Sequence, residues 1–275
     1  MNPESGEIRS DTLALTDEAA IDVELRLIVE AVYGPPIRKL AGLDIGRAYW
    51  GASMVLPYGG DIVDVFQYGD GSTSLAVVDI SGHGIRAATH AGLAKHALRA
   101  YVSQGYSAIE AIRGLNRLCI ENCAFEDEIE FFATAFFAII NARRDSMQYV
   151  SAGHEAAYIV TPEGHRMLDA TGPIIGLLDD DHAFQQKTIS LNAGDTLAVV
   201  TDGFTEARNE HGVFLGANAL AKVVERNAAL TAEQQAQSIT ASAYGYAGPR
   251  LKDDVAALVV KVVQQGYTFT LATVK

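Results

Sequence analysis

Four aspartate-bearing segments stand where an apolar run meets a turn: Asp61 in YGGDIVDVF, Asp79 in VVDISGHG, Asp202 in VVTDGFTEARN, and the pair Asp253-Asp254 in LKDDVAALVV. A carboxylate aimed by a rigid strand, with glycine beside it so that a ligand can approach, suits a hard cation. Oxygen donors of this kind favour magnesium or manganese over zinc. One Asp beside Gly is ordinary turn chemistry. Its recurrence at four places points to one shared centre. Two histidines occupy comparable turns, His83 in SGHG and His154 in SAGH. His83 is a candidate general acid, but a packing or capping role at the start of the next helix is the simpler reading for it, and His154 calls for the same reading.

The elements that would position these groups can be read from periodicity. Residues 1 to about 16 are polar and aperiodic, and a helix is expected over about 17 to 33, behind Thr16 and ahead of Gly34-Pro35-Pro36. Strands are expected in LDIGRAYWGASM and in DIVDVFQYGDGSTSLAVVDI, where Gly69-Asp70-Gly71 signals a hairpin. Helices follow over about 84 to 102 and 107 to 123. FFATAFFAIINA, MQYVSAG and EAAYIVTPEG read as a three-stranded meander, and QKTISL, DTLAVVT and DVAALVVKVV as further strands. A second helical pair is expected over about 214 to 226 and 231 to 244. Strands, helices, strands, helices, strand is an α+β order with antiparallel sheets.

Composition narrows the function classes. The 275 residues carry 21 Lys and Arg against 34 Asp and Glu, a net charge of −13, which repels nucleic acid and anionic membrane. Cys119 and Cys123 lie one helical turn apart and cannot staple a chain of this length, so buried thiols in a reducing, cytoplasmic setting are expected. The start MNPESGEIRSD lacks the basic and apolar regions of an export signal, and no run is long and apolar enough for a membrane span.

GGDIVDVF, VVDISGHGIRAA, YVSAGHEAAYIV, GDTLAVVTDGFTEARN and DDVAALVV resemble, in the same order, the motifs of the SpoIIE/RsbU branch of PPM-type protein phosphatases, across about residues 43 to 263. The ordered set carries the resemblance more than any single string. It implies an α-β-β-α sandwich of two antiparallel sheets flanked by helices, with two Mn2+ or Mg2+ ions at one end. It also implies a metal-activated water that hydrolyses phosphoserine or phosphothreonine. By motif, Asp79 resembles the bridging carboxylate and Asp61 a ligand of one metal, while Asp202 and Asp253 resemble ligands of the other. The resemblance implies the Ile80 carbonyl as a further metal ligand. Asp254 stays open, because the motif does not say which carboxylate of the pair points inward, and Asp64 is read as a support for the ligands. Ala256 stands where the family usually has Thr, and Ile62-Val63 where an aromatic pair is common.

The resemblance further implies a phosphorylated protein substrate similar to an anti-sigma-factor antagonist. The expected organisation is an N-terminal tail and helix over 1–40, a phosphatase domain over 41–264 and a tail over 265–275. The first helix would serve for homodimerisation, for docking a regulatory partner, or for plain packing. The competing reading is a catalytically weak phosphatase-fold module that sequesters a signalling partner. The full set of four aspartate positions disfavours it.

Overall fold

The computed structural model describes residues 40–51, 60–82, 84–125, 131–154 and 157–264. The expected helix over 17–33, the tail from 265 onward and His83 lie outside these residues. The elements are β1 (Leu43–Trp50), β2 (Ile62–Gln67), β3 (Thr73–Ile80), α1 (Gly84–Ser103), α2 (Ala108–Phe125), β4 (Ala133–Ile140), β5 (Ser146–Ala152), β6 (Ala157–Thr161), β7 (Gly164–Met167), β8 (Lys187–Ser190), β9 (Thr196–Val200), α3 (Asp202–Thr205), α4 (Asn218–Arg226), α5 (Ala232–Ala247) and β10 (Val255–Val262). They form two antiparallel sheets, one ordered β1-β10-β9-β6-β7 and the other β2-β3-β4-β5-β8.

Side-chain alternation builds the layers. In β3, Leu75 and Val77 face the other sheet while Ala76, Val78 and Ile80 face α1 and α2. In β10, Ala256, Leu258 and Val260 face the other sheet, while Val255, Ala257 and Val259 meet α4 and α5. These central strands are buried on both faces, which is why they read as continuous apolar runs. Helix α2 buries Ala108, Ala111, Ile112, Leu115 and Cys119, a stripe at helical spacing. Helix α5 starts at a capping box in which Thr231 Oγ1 accepts from the Gln234 amide, and the Gln234 side chain accepts from the Thr231 amide. Three apolar layers therefore lie between four layers of structure, giving the expected α-β-β-α sandwich.

Some local expectations are corrected. β4 and β5 pair as a hairpin, but β6 crosses to the other sheet and pairs with β7 and β9, so the three runs are not one meander. Helix α4 begins at Asn218, later than expected, because residues 208–214 fold back through a bridge between Arg208 and Phe214. Asp64 does not support the metal ligands. It lies two residues beyond Ile62 and so faces α1, where it accepts from Arg99 Nε at 2.7 Å and Nη2 at 2.5 Å. The guanidinium also lies 4.8 Å from the Phe66 ring, so this pair anchors α1 to β2. Cys119 is buried, as expected.

Candidate metal centre

The two sheets bring the predicted aspartates together at one end of the sandwich. Asp61 leads into β2, and its strand partner β3 ends beside it with Asp79, which continues the inward face of Leu75 and Val77. In the other sheet β9 ends at Val200, opposite Ala257 of β10, so Thr201-Asp202 and Asp253-Asp254 emerge side by side. Asp202 opens the short helix α3, which periodicity could not reveal because it is one turn long. Asp254 continues the inward face of Ala256, whereas Asp253 is exposed and its Oδ1 accepts from the Asp254 amide at 2.8 Å.

The electrostatics are those of crowded carboxylates. Asp61 is 5% exposed, and its Oδ2 makes no hydrogen bond. Burial first, and then Asp79, hold the Asp61 carboxyl well above the usual range, with Asp254 and Asp253 adding to the effect and the Thr201 hydroxyl opposing it. Asp79 is pushed up to about 7, by burial first and then by Asp202, Asp253 and Asp254, against a hydrogen bond with Asp61. Every charged group that raises these two carboxyls is another aspartate. A divalent cation fits such an all-oxygen set. Among the described residues no group of three or more His, Cys, Asp or Glu side chains is placed to hold a metal ion. The carboxylates meet at the sheet ends without closing on one point, and a hard cation held by a few of them would retain several waters.

Two glycines allow the backbone to close around these carboxylates. A Cβ on Gly60 would lie 2.3 Å from the Ile80 carbonyl oxygen, so glycine lets the chain before Asp61 pack against the carbonyl assigned by motif to a metal. A Cβ on Gly203 would lie 1.9 Å from the Asp254 carbonyl oxygen. Gly203→Ala is therefore expected to push Asp202 away from the 253–254 turn. Denaturant titration should show a loss of about 1–3 kcal/mol, and calorimetry a weaker Mn2+ affinity by about ten-fold.

Several site residues were not legible from motifs. Tyr49 of β1 donates a short hydrogen bond to Asp254 Oδ2, a contact that depends on β1 pairing with β10 across the length of the chain. Thr201 adjoins Asp202 in VVTDG, where its adjacency was the available signal. Its hydroxyl bonds Asp61 and its Oγ1 accepts from the Ala256 amide at 2.9 Å. His154 is 5% exposed, and burial holds it down to about 4, with the Val200 backbone acting in the opposite direction, so the packing reading stands. Beside the centre lies a cavity of about 370 Å³ whose walls include Gly203, Arg208, Leu251, Lys252 and Asp253. Val213 and Phe214 are exposed on the same loop as Arg208, whose guanidinium stacks 4.3 Å from the Phe214 ring.

Aspartates gathered at the ends of two stacked antiparallel sheets, with helices outside both, define an α-β-β-α sandwich with an acidic end. Residues 69–263 match the model of the family described as Stage II sporulation protein E (SpoIIE), and the chain belongs to that family. It is 28% identical over 192 residues to the phosphoserine phosphatase RsbU of Bacillus subtilis, covering 69% of this chain and 56% of that protein. The chain thus spans little more than half the length of this relative. The solved RsbU and RsbW domains of Rv1364c from Mycobacterium tuberculosis superpose with a TM-score of 0.68 at 25% identity, covering 82% of this chain and 62% of that one. A more distant structure is the catalytic domain of the serine/threonine protein phosphatase PstP in complex with two manganese ions. It has a TM-score of 0.59 at 15% identity, covers 80% of this chain and 99% of its own, and shows the shared fold.

Proposed function

We propose that the chain is a metal-dependent phosphatase of phosphoserine and phosphothreonine in proteins, with two Mn2+ or Mg2+ ions held by Asp61, Asp79, Asp202, Asp253 and the Ile80 carbonyl. The observation that carries this reading is the gathering of five aspartates from four separated segments at one end of the sandwich, where they raise one another's carboxyls, in a SpoIIE-family chain. Divalent ions there would supply an activated water and screen the phosphoryl oxygens. The chain's own residues do the positioning. Asp79 presents its carboxylate from the stiff end of β3 to those of both sheets. Asp61 is oriented by Thr201, and Asp202 starts a helix turn packed on the 253–254 backbone. Asp254, held by Tyr49, keeps the acidic pair in register with β1 and is retained as an alternative ligand. The described residues assign no proton donor to the leaving group, since His154 is buried and neutral at pH 7.

The named activity of RsbU and the RsbU–RsbW pairing in Rv1364c support a signalling phosphoprotein, of the anti-sigma-factor antagonist kind, as substrate. The cavity beside Asp253, with the exposed Phe214 stacked on Arg208 of its wall, offers a protein substrate more contact than a small ester needs. A cytoplasmic setting agrees with a chain of only two cysteines, and among the described residues no helix is long and apolar enough to cross a membrane. We extend the reading to 41–264 as the phosphatase unit, with the N-terminal helix as a docking or dimerising element.

Rates on a phosphoserine protein and on a small aryl phosphate test the substrate class. Lys252→Glu and Phe214→Ala are expected to lower kcat/KM on the protein by about ten-fold each while leaving the aryl phosphate within about two-fold. Equal losses on both substrates, or faster intrinsic turnover of the small ester, would overturn the protein-directed reading.

A further inference from the structure

The metal centre is divided between two sheets, with Asp61 and Asp79 on one and Asp202, Asp253 and Asp254 on the other. Its dimensions therefore depend on whatever fixes the two sheets together at that end. Apolar packing is tolerant of sub-ångström shifts, whereas hydrogen-bonded polar groups hold direction as well as distance. Among the described residues one buried imidazole stands at this place and has no part in the chemistry above.

Thr134 of β4 lies directly opposite Asp79 of β3 in the antiparallel register. Paired side chains on one face of such a ladder are about 4.5–5.5 Å apart at Cβ. The alternation of β4, in which Phe136 and Ala138 face the other sheet, turns Thr134 the same way as Asp79. Thr134 Oγ1 is bonded to His154 Nδ1 at 2.8 Å. The ring is 95% buried, counting from its 5% exposure, and its Nε2 makes no hydrogen bond. Three residues on, Ala157 pairs with Val199 of β9, and the backbone of Val200, the last residue of that strand in the opposite sheet, lies near enough to act on the ring. The next residue is Thr201, which bonds Asp61, and after it comes Asp202. His154 thus stands between the strand pair that presents Asp79 and the strand end that presents Asp202.

We propose that His154, acting through Thr134, is a positioning residue that fixes Asp79 relative to the carboxylates of the opposite sheet and so sets divalent-cation affinity. The inference rests on the metal-dependent reading above. It assigns His154 no contact with substrate and no proton transfer. A ring that merely filled space would be replaceable by another ring of similar size; a positioning ring would not.

The test compares the intact chain with His154→Phe, His154→Gln and Thr134→Val, with Mn2+ binding followed by calorimetry and folding by thermal denaturation in EDTA. His154→Phe is expected to unfold within a few degrees of the parent and to bind Mn2+ about ten-fold more weakly, while His154→Gln, which can still bond Thr134, recovers most of the affinity. Thr134→Val is expected to weaken binding to a similar extent, and combining it with His154→Phe to add little, because both remove one interaction. Unchanged Mn2+ affinity in folded His154→Phe, or in Thr134→Val should the former fail to fold, would overturn the proposal. Full additivity of the two would do so as well. Absence of Mn2+ binding by the parent chain would remove the metal-dependent reading itself, a result distinct from a parent that binds and variants that bind equally well.

Discussion

Asp79→Asn is expected to reduce Mn2+-dependent turnover of a phosphoserine protein by about a thousand-fold or more, an increase of about 4 kcal/mol in the barrier. Asp202, Asp253 and Asp254 all act on it from the opposite sheet, and Asp61 shares a hydrogen bond with it. Removing its charge weakens the attraction of the whole centre for cations while the side-chain shape persists. Asp202→Asn should show a loss of the same order from the opposite sheet. Circular dichroism and denaturation in EDTA would show both variants folded, since the substitution removes repulsion in the metal-free chain.

The second large effect concerns that repulsion. Asp61→Asn is expected to make the metal-free chain more stable by about 2 kcal/mol at pH 8, because it replaces a buried carboxyl, crowded by Asp79 and with an unpartnered Oδ2, by a group that cannot ionise. The same variant should lose most of the rise in Tm that excess Mn2+ gives the parent. The pH dependence has a definite sign. An unfolded aspartate releases its proton near pH 4, whereas folded, metal-free Asp79 keeps it until about 7, so between these values the folded chain binds more protons. The contribution of Asp79 to stability therefore falls as pH rises from about 4 to about 7 and is constant above that. His154 acts in the opposite sense, since its buried ring stays neutral down to about 4 and penalises the folded state as pH falls below about 6.5. Thermal denaturation in EDTA from pH 5 to 8 should show declining stability in the parent and a shallower decline in Asp61→Asn. A parent that gains stability over this interval would contradict the proposed crowding of carboxylates.

The sandwich was legible because its central strands are apolar on both faces, and such runs as LAVVDI and VAALVVKV mark themselves without knowledge of their neighbours. The short edge strand β7, with His165, Arg166 and Met167 exposed, carries no such mark. The crossing of β6 to the second sheet was hidden for a different reason: periodicity identifies a strand but not its partner, and the pairing with β9 spans some forty positions of sequence. Among the site residues, the aspartates showed themselves by repeated placement at strand ends. Asp64 shared their setting in sequence, and only its position one step out of phase with Asp61 and Val63 turned it toward Arg99. Tyr49 and Thr134 reach the neighbourhood of the centre through strand pairing alone, so no local pattern announces them, and His154, marked by its turn, gave no sign in sequence of its bond to Thr134.

The central claim is tested most directly by phosphate release from a phosphoserine-bearing protein as Mn2+ is titrated into the intact, EDTA-stripped chain. Release that rises from near zero to saturation, and is abolished again by chelation, is the expected result. No release at any Mn2+ concentration, with calorimetry registering no bound ion, would contradict it and leave a phosphatase-like sandwich whose acidic end serves to hold a partner.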